Sequence, residues 1–228
     1  MLRQVLAPIH PDGWRFVAIF AAASAVLFWI AAPLGWIGLV ATAWCAYFFR
    51  DPWRVTPTRP GLVVAPADGR IVAVDAASPP PELEMGSTKM LRIGIFLNIL
   101  DVHVNRMPMG GRIAKRIHHA GRFLNASLDK ASEENERLSL RLATPEGSDI
   151  AVVQVAGLIA RRIVCSVDAG DEVIAGQRYG LIRFGSRTDV YLPAAWTSLA
   201  VVGQRAVGGE TVIADARSDE RPRQGLEH

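Results

Sequence analysis

Val64-Ala65-Pro66-Ala67-Asp68-Gly69-Arg70-Ile71 reads as a strand, an acidic turn and a second strand. Asp before Gly between apolar residues is a common hairpin signal. The pattern returns in Cys165-Ser166-Val167-Asp168-Ala169-Gly170-Asp171-Glu172-Val173-Ile174-Ala175-Gly176. It returns again in Val202-Gly203-Gln204-Arg205-Ala206-Val207-Gly208-Gly209-Glu210-Thr211-Val212-Ile213-Ala214. Short β-branched runs fill the rest: Leu62–Val64, Ile71–Val74, Leu91–Phe96, Leu138–Leu142, Ile150–Val155, Ile163–Val167 and Tyr179–Phe184. Gly, Pro and Asp punctuate them, which predicts a mainly β domain. Short strands around tight turns suit a small barrel or barrel-like sandwich that closes its own edges.

That scaffold resembles the biotinyl and lipoyl carrier domains. Carriers present a lysine at an exposed hairpin tip, whereas Lys89, Lys115 and Lys130 all lie away from the three turns. The scaffold fits and the carrier role does not. Leu124–Arg137 is a weak helix candidate, with a long loop as its alternative. Residues 78–90, with Pro79-Pro80-Pro81, read as a surface excursion.

The N-terminus is of another kind. Phe16 to Phe49 is 34 residues without a formal charge, interrupted at Pro33-Leu34-Gly35. A spanning helix takes about 20 residues, with a lower end near 17. Helices over Phe16–Ala32 and Leu34–Phe49, joined by one turn, predict a membrane hairpin that returns the chain to its starting side. Arg3, Arg15, Arg50 and Arg54 then share one side, which the positive-inside rule makes cytoplasmic. Asp51-Pro52, Pro57, Pro60 and Gly61 form a linker, so the expected division is a hairpin and linker over 1–60 and a β-rich domain over 61–228.

Twenty-five basic and 22 acidic residues give a net charge of +3, with the basic residues scattered. A nucleic-acid binder would concentrate them, so the balance favours an anionic lipid surface and no nucleic acid. Cys45 and Cys165 set no disulfide framework, and with five histidines no metal-ligand spacing stands out.

Three residues are candidates for chemistry. Asp68 sits in the first turn, where a turn-forming role is the simpler reading. His103 lies in Ile99-Leu100-Asp101-Val102-His103-Val104-Asn105-Arg106-Met107-Pro108. Alternation puts Asp101, His103 and Asn105 on one face of an extended segment. Ser186, in Arg183-Phe184-Gly185-Ser186-Arg187-Thr188-Asp189, reads alone as an ordinary turn serine. A hydroxyl becomes a nucleophile when a base takes its proton and a carboxylate orients that base. The hydrolase elbow G-x-S-x-G is absent, since Phe184 and Thr188 flank Ser186 at two residues.

The chain resembles the phosphatidylserine decarboxylase proenzymes, in the short bacterial and archaeal branch of that pyruvoyl-dependent family. The resemblance runs from Phe48 to Ala214. It rests on Phe48-Phe49-Arg50-Asp51-Pro52, Ala65-Pro66-Ala67-Asp68-Gly69 and Leu100 to Pro108. Gly121-Arg122-Phe123-Leu124-Asn125-Ala126, Asp129-Lys130-Ala131, Asn135-Glu136-Arg137 and Gly185-Ser186 complete it, in order.

The resemblance implies self-cleavage between Gly185 and Ser186. The serine hydroxyl attacks the preceding carbonyl, an ester replaces the peptide bond, and elimination and hydrolysis leave a pyruvoyl group. The products would be a β chain, Met1–Gly185, and an α chain beginning at the former Ser186, held together as a heterodimer; further homo-oligomerisation stays open. His103 takes the role of base, oriented by Asp68. The covalent cofactor then removes CO₂ from phosphatidylserine to give phosphatidylethanolamine at the cytoplasmic face of the cell membrane.

Two positions depart from the long-form relatives. Arg106 stands where those carry a second histidine, and Arg187 where they usually carry threonine. Arg106 is too basic to act as a base and is assigned, with Arg187, to an anionic headgroup. Arg112, Lys115 and Arg137 are weaker candidates for phosphate or lipid contact, with solvated charge as the alternative. His118 and His119 face opposite ways on a strand, which argues against joint metal ligation; His118 alone is a minor candidate for a second base. The competing class is a non-enzymatic membrane-anchored barrel adaptor, which predicts one intact polypeptide.

Overall fold

The computed structural model describes residues 7–121, 135–157, 162–183, 186–221 and 223–226. The chain divides into two compact units, Met1–Trp53 and Arg54–His228. Residues 54–60 join the β-rich unit because they are tied to it by side chains. Arg54 pairs with Asp68, the Val55 amide donates to Glu210 and Arg59 pairs with Asp215.

The first unit is a helical hairpin, α1 (Pro11–Ile30) and α2 (Ala32–Phe48). α1 starts earlier than the apolar run suggests. His10 Nδ1 caps it by accepting from the Asp12 amide, and Pro11 supplies a preset φ. The break falls at the extended Ala31, and Pro33 lies in the first turn of α2. Small residues let the helices approach: a methyl added at Gly35 would strike Phe28, and one at Gly38 would strike Ser24. Ser24 and Thr42 hydroxyls meet at 3.0 Å between them. The His10 amide donates to Phe49 and the Asp51 amide to Pro8, so the chain does return to its starting end. At about 1.5 Å per residue α1 spans ~30 Å. It is long and apolar enough to cross a bilayer, while α2 is shorter.

The second unit is mainly β, as expected. Its strands are β1 (Leu62–Val64), β2 (Gly69–Ala77), β3 (Met90–Leu97), β4 (Val104–Arg106), β5 (Gly111–His119), β6 (Arg137–Ala143) and β7 (Asp149–Ala156). There follow β8 (Ile163–Cys165), β9 (Glu172–Val173), β10 (Arg178–Ile182), β11 (Ser186–Leu192), β12 (Thr197–Ser198), β13 (Arg205–Ala206) and β14 (Val212–Asp215). Eight form a curled half-barrel sheet in the order β13-β2-β3-β11-β7-β6-β5-β9. Two three-stranded sheets, β1-β14-β12 and β4-β10-β8, complete the unit. One apolar cluster joins them, with Val63 and Ile213, Met107 and Tyr179, and Ile71, Ile93, Val152 and Val190 contributed by the three sheets. The helix expected over 124–137 falls mostly outside the described residues, and its last residue, Arg137, begins β6.

The excursion at 78–90 is a packed strap. Its single 3-10 turn, Pro81–Leu83, buries Leu83 against Ala151, Val153, Val155 and Tyr191. Beside it Glu82 accepts from Arg137 Nε and Nη2 at 2.7 and 3.0 Å and from Ser139 Oγ at 3.0 Å. Burial alone raises the Glu82 carboxyl pKa, but the Arg137 and Ser139 hydrogen bonds outweigh it and leave the pKa below the usual range. A lowered folded-state pKa adds stability that is present above the unfolded value, about 4.3, and lost as pH falls through the folded one. We therefore expect Glu82→Ala to cost about 3 kcal/mol at neutral pH, because it removes three hydrogen bonds to a charged carboxylate. In denaturant melts the gap to wild type should narrow below about pH 4. A gap independent of pH would remove the ion pair from the account.

Candidate active site

Ser186 is the first residue of β11, fourth strand of eight, rather than part of a turn. Leu97 of β3 pairs with it on one side and Ala156 of β7 on the other. Its side is the core side, since Val190 and Leu192, at even spacing along β11, belong to the main apolar cluster. The residue is 0% exposed, and Oγ has no hydrogen-bond partner among the described residues. A buried hydroxyl without a partner costs free energy that a merely structural position would avoid. Thr188 Oγ1, two residues along the same face, is equally buried and unpartnered among the described residues. Gly185 and Phe184 lie outside the described residues.

His103 precedes β4 and is also 0% exposed. Its carbonyl accepts from the Ile182 amide at 3.4 Å, which sets it beside the end of β10, four residues before Ser186 in sequence. His103 Nδ1 lies 3.0 Å from the Asp101 carbonyl. A carbonyl only accepts, so Nδ1 carries a proton, and Nε2 is the nitrogen through which the ring can act as a base. The Asp101 turn is pinned in its turn. Its carboxylate accepts from the Asn98 amide at 2.8 Å and pairs with Arg205.

The orienting contact on His103 Nδ1 thus comes from a main-chain carbonyl, where the sequence pointed to Asp68. The Asp68 carboxylate accepts from Arg54 Nη2 at 2.9 and 2.7 Å and from the Gly208 amide at 2.8 Å. Its loop is docked on the same strand, because the Arg106 amide donates to the Pro66 carbonyl at 2.8 Å. Asp68 and His103 are thus both tied to the β4 segment, and His103 also to β10, which precedes Ser186 in the chain.

The arginines are placed differently from the expectation. Arg187 is 1% exposed, and its Nε donates to Asp189 Oδ1 at 2.6 Å. Strand alternation carries residue 187 to the face opposite Ser186, so adjacency in sequence does not bring its guanidinium to the serine. Arg106 is buried and donates to the Gly176 carbonyl at 3.0 Å. It alternates away from the face of His103 and Asn105. Arg137 is committed to Glu82, so the phosphate role expected for it gives way to a structural one. Lys115 pairs with Glu84. Arg112 is exposed at the start of β5. His118 is exposed, with Nε2 at 3.1 Å from Glu136, and His119 is exposed beside it. Burial pushes the Cys165 thiol pKa up, which keeps that residue unreactive at neutral pH.

Sequence reading missed Arg54, Arg205 and Gln154. Gln154 was visible in principle as the lone polar residue of Ile150–Val155, at a core-facing position. Its Nε2 donates to Asn105 Oδ1 at 2.6 Å, and both residues are 0% exposed. Arg54 and Arg205 carry no local signal, because each meets its partner through the fold alone.

Comparison with known proteins shows the family of the chain. A family model described as phosphatidylserine decarboxylase matches residues 41–214. The phosphatidylserine decarboxylase proenzyme of Paramagnetospirillum magneticum is 54% identical over 218 residues, 96% of this chain and 91% of that protein. That of Cereibacter sphaeroides is 52% identical over 225 residues, 99% and 97% of the two chains. That of Nitrobacter winogradskyi is 55% identical over 214 residues, 94% and 87% of the two. The match takes in Asp68, His103 and Ser186 alike, and the chain belongs to the phosphatidylserine decarboxylase family of enzymes.

Proposed function

We propose that the chain cleaves itself between Gly185 and Ser186 and then decarboxylates phosphatidylserine through the pyruvoyl group so formed. The observation that carries this reading is the wholly buried Ser186 hydroxyl, unpartnered among the described residues, at the head of a central strand. The proenzyme names of the relatives support it.

In the maturation step His103 Nε2 accepts the Ser186 hydroxyl proton as Oγ bonds to the carbonyl carbon of Gly185. The C–N bond breaks, the nitrogen of residue 186 takes a proton, and an ester joins the two residues. Loss of the α-proton of residue 186 and scission of its Cβ–Oγ bond free a C-terminal carboxylate on Gly185 and leave dehydroalanine. Water then replaces the nitrogen as ammonia departs. Burial favours this chemistry, because few solvent molecules compete for the developing charge.

The pyruvoyl ketone supplies an electron sink once joined to a substrate amine, as organic cofactors generally do. The site fits that group, since a core-facing position at a strand head encloses residue 186 on both sides. His103 remains in place after cleavage as a buried acid–base group and is assigned the proton that replaces CO₂ on the headgroup carbon. The Asp68–Arg54 ion pair is assigned an electrostatic share in the proton transfer. We expect Asp68→Asn to slow cleavage about tenfold, within the range of single electrostatic contributions, with gel densitometry over time as the measurement. Unchanged kinetics would take Asp68 out of the reaction.

The apolar length of α1 suits an enzyme whose substrate is a lipid. We assign the chain to the cell membrane, with Arg15, Arg50 and Arg54 on the cytoplasmic side. The product is phosphatidylethanolamine, and anionic membrane lipid is the expected surface. The test is release of CO₂ from vesicles of phosphatidylserine labelled in the serine carboxyl. We expect release to stop when the protein is first treated with a carbonyl-trapping amine and a reductant. Release that survives such treatment would exclude a ketone cofactor.

A further inference from the structure

Gln154 and Asn105 make a hydrogen bond that joins two sheets. Gln154 is on β7 of the half-barrel, two residues before Ala156, the partner of Ser186. It is therefore the diagonal neighbour of Ser186, on the same face and about 7–8 Å away, a gap that a long side chain covers. Asn105 is on β4 of the three-stranded sheet, and His103 lies two residues before it. Alternation sends the side chains of 103 and 105 to one face. The bond thus connects β7, the neighbour of the strand that carries the serine, to β4, the strand that follows the histidine.

The surroundings are shaped for this contact. Asn105 is opposite Gly180 of β10, where an added methyl would strike the Val164 carbonyl oxygen at 2.3 Å and lie 2.9 Å from Gln154 Nε2. The glycine leaves the opening through which Gln154 reaches. Both amides are wholly buried, and Asn105 Nδ2 and Gln154 Oε1 are unpartnered among the described residues. Exchanging the oxygen and nitrogen of both amides preserves the contact and still leaves one donor and one acceptor unmet. An apolar pair would fill that space at lower cost, so stability alone does not account for two amides here.

We infer that Asn105 and Gln154 form an amide clamp that fixes His103 against the head of β11, and so act as positioning residues for self-cleavage at Ser186. The inference rests on the self-processing reading above. Displacing a reacting group by about 1 Å costs roughly 100-fold in rate, which is the effect expected of losing the clamp.

The test uses the full chain in detergent, with cleavage followed by intact mass and thermal melting as the check on folding. Gln154→Asn keeps the polarity but shortens the reach by one methylene. Asn105→Leu with Gln154→Met replaces both partners by apolar groups, a change that is nearly neutral for stability. We expect folded protein in both cases and cleavage about 100-fold slower. The two changes of the double variant should not multiply, since either alone opens the clamp. The pH profile is the second readout. Wild-type cleavage should level off with rising pH, as it does with a fixed base, whereas the variants should keep rising as hydroxide replaces the displaced base. Folded variants that cleave at the wild-type rate, with the wild-type profile, would overturn the clamp. A wild-type chain that never cleaves would instead overturn the self-processing reading.

Discussion

Ser186→Ala remains a single polypeptide of 24.7 kDa and releases no CO₂ from phosphatidylserine vesicles. No other change is expected to have so large an effect, because in the proposed reaction the residue is both the nucleophile and the source of the cofactor. The fold should tolerate the change. Oγ has no hydrogen-bond partner among the described residues, so its removal strands no buried group. We expect the melting temperature to stay within a few degrees of wild type or to rise, as it does when an unsatisfied buried polar atom is deleted. A folded Ser186→Ala chain that still cleaves at this bond would end the account.

His103→Ala should slow cleavage by about 10²–10⁴-fold, the range of general acid–base catalysis. Its two assigned roles can be separated in one preparation. If His103 serves maturation, the chain stays intact for hours under conditions in which wild type is fully processed. If it serves turnover alone, the chain is processed normally and the mature protein is inactive. The proposed reaction calls for the first result, because the Nδ1 contact with the Asp101 carbonyl leaves Nε2 to take the serine proton. Full processing with full turnover would remove His103 from both stages. Arg106 does not replace a second histidine in this geometry, since it alternates to the other face of β4 and binds the Gly176 carbonyl.

Much of this architecture was legible in the residues. β1 coincides with the run at Leu62–Val64, β2, β3, β6 and β7 grow outward from apolar runs, and β10 starts one residue before the run at Tyr179–Phe184 and stops at Ile182. The strands that escaped notice are instructive. In β5 only Ile113 and Ile117 mark the inner face, and the charges between them hide the alternation. β11 opens on Ser186-Arg187-Thr188-Asp189, polar on both faces, yet every one of its residues is buried. One face holds the candidate nucleophile and the other the Arg187–Asp189 pair, so the apolar pattern fails where the chemistry is placed. The same reason explains the misplaced arginines. Proximity in sequence suggested that Arg187 would serve the headgroup, but a strand separates neighbours onto opposite faces. Arg137 looked like a solvated charge because its partner, Glu82, is 55 residues away in the chain.

The central claim is that a peptide bond of this chain becomes a cofactor, and intact mass spectrometry of freshly purified protein tests it most directly. We predict two fragments of roughly 20 and 5 kDa, the 24.7 kDa of the chain divided between residues 185 and 186. The smaller should have a blocked N-terminus and should gain mass when a trapping amine and a reductant are added. One unmodified mass of 24.7 kDa, persisting in folded protein through long incubation in detergent or membranes, would contradict the account and favour a non-enzymatic membrane-anchored adaptor.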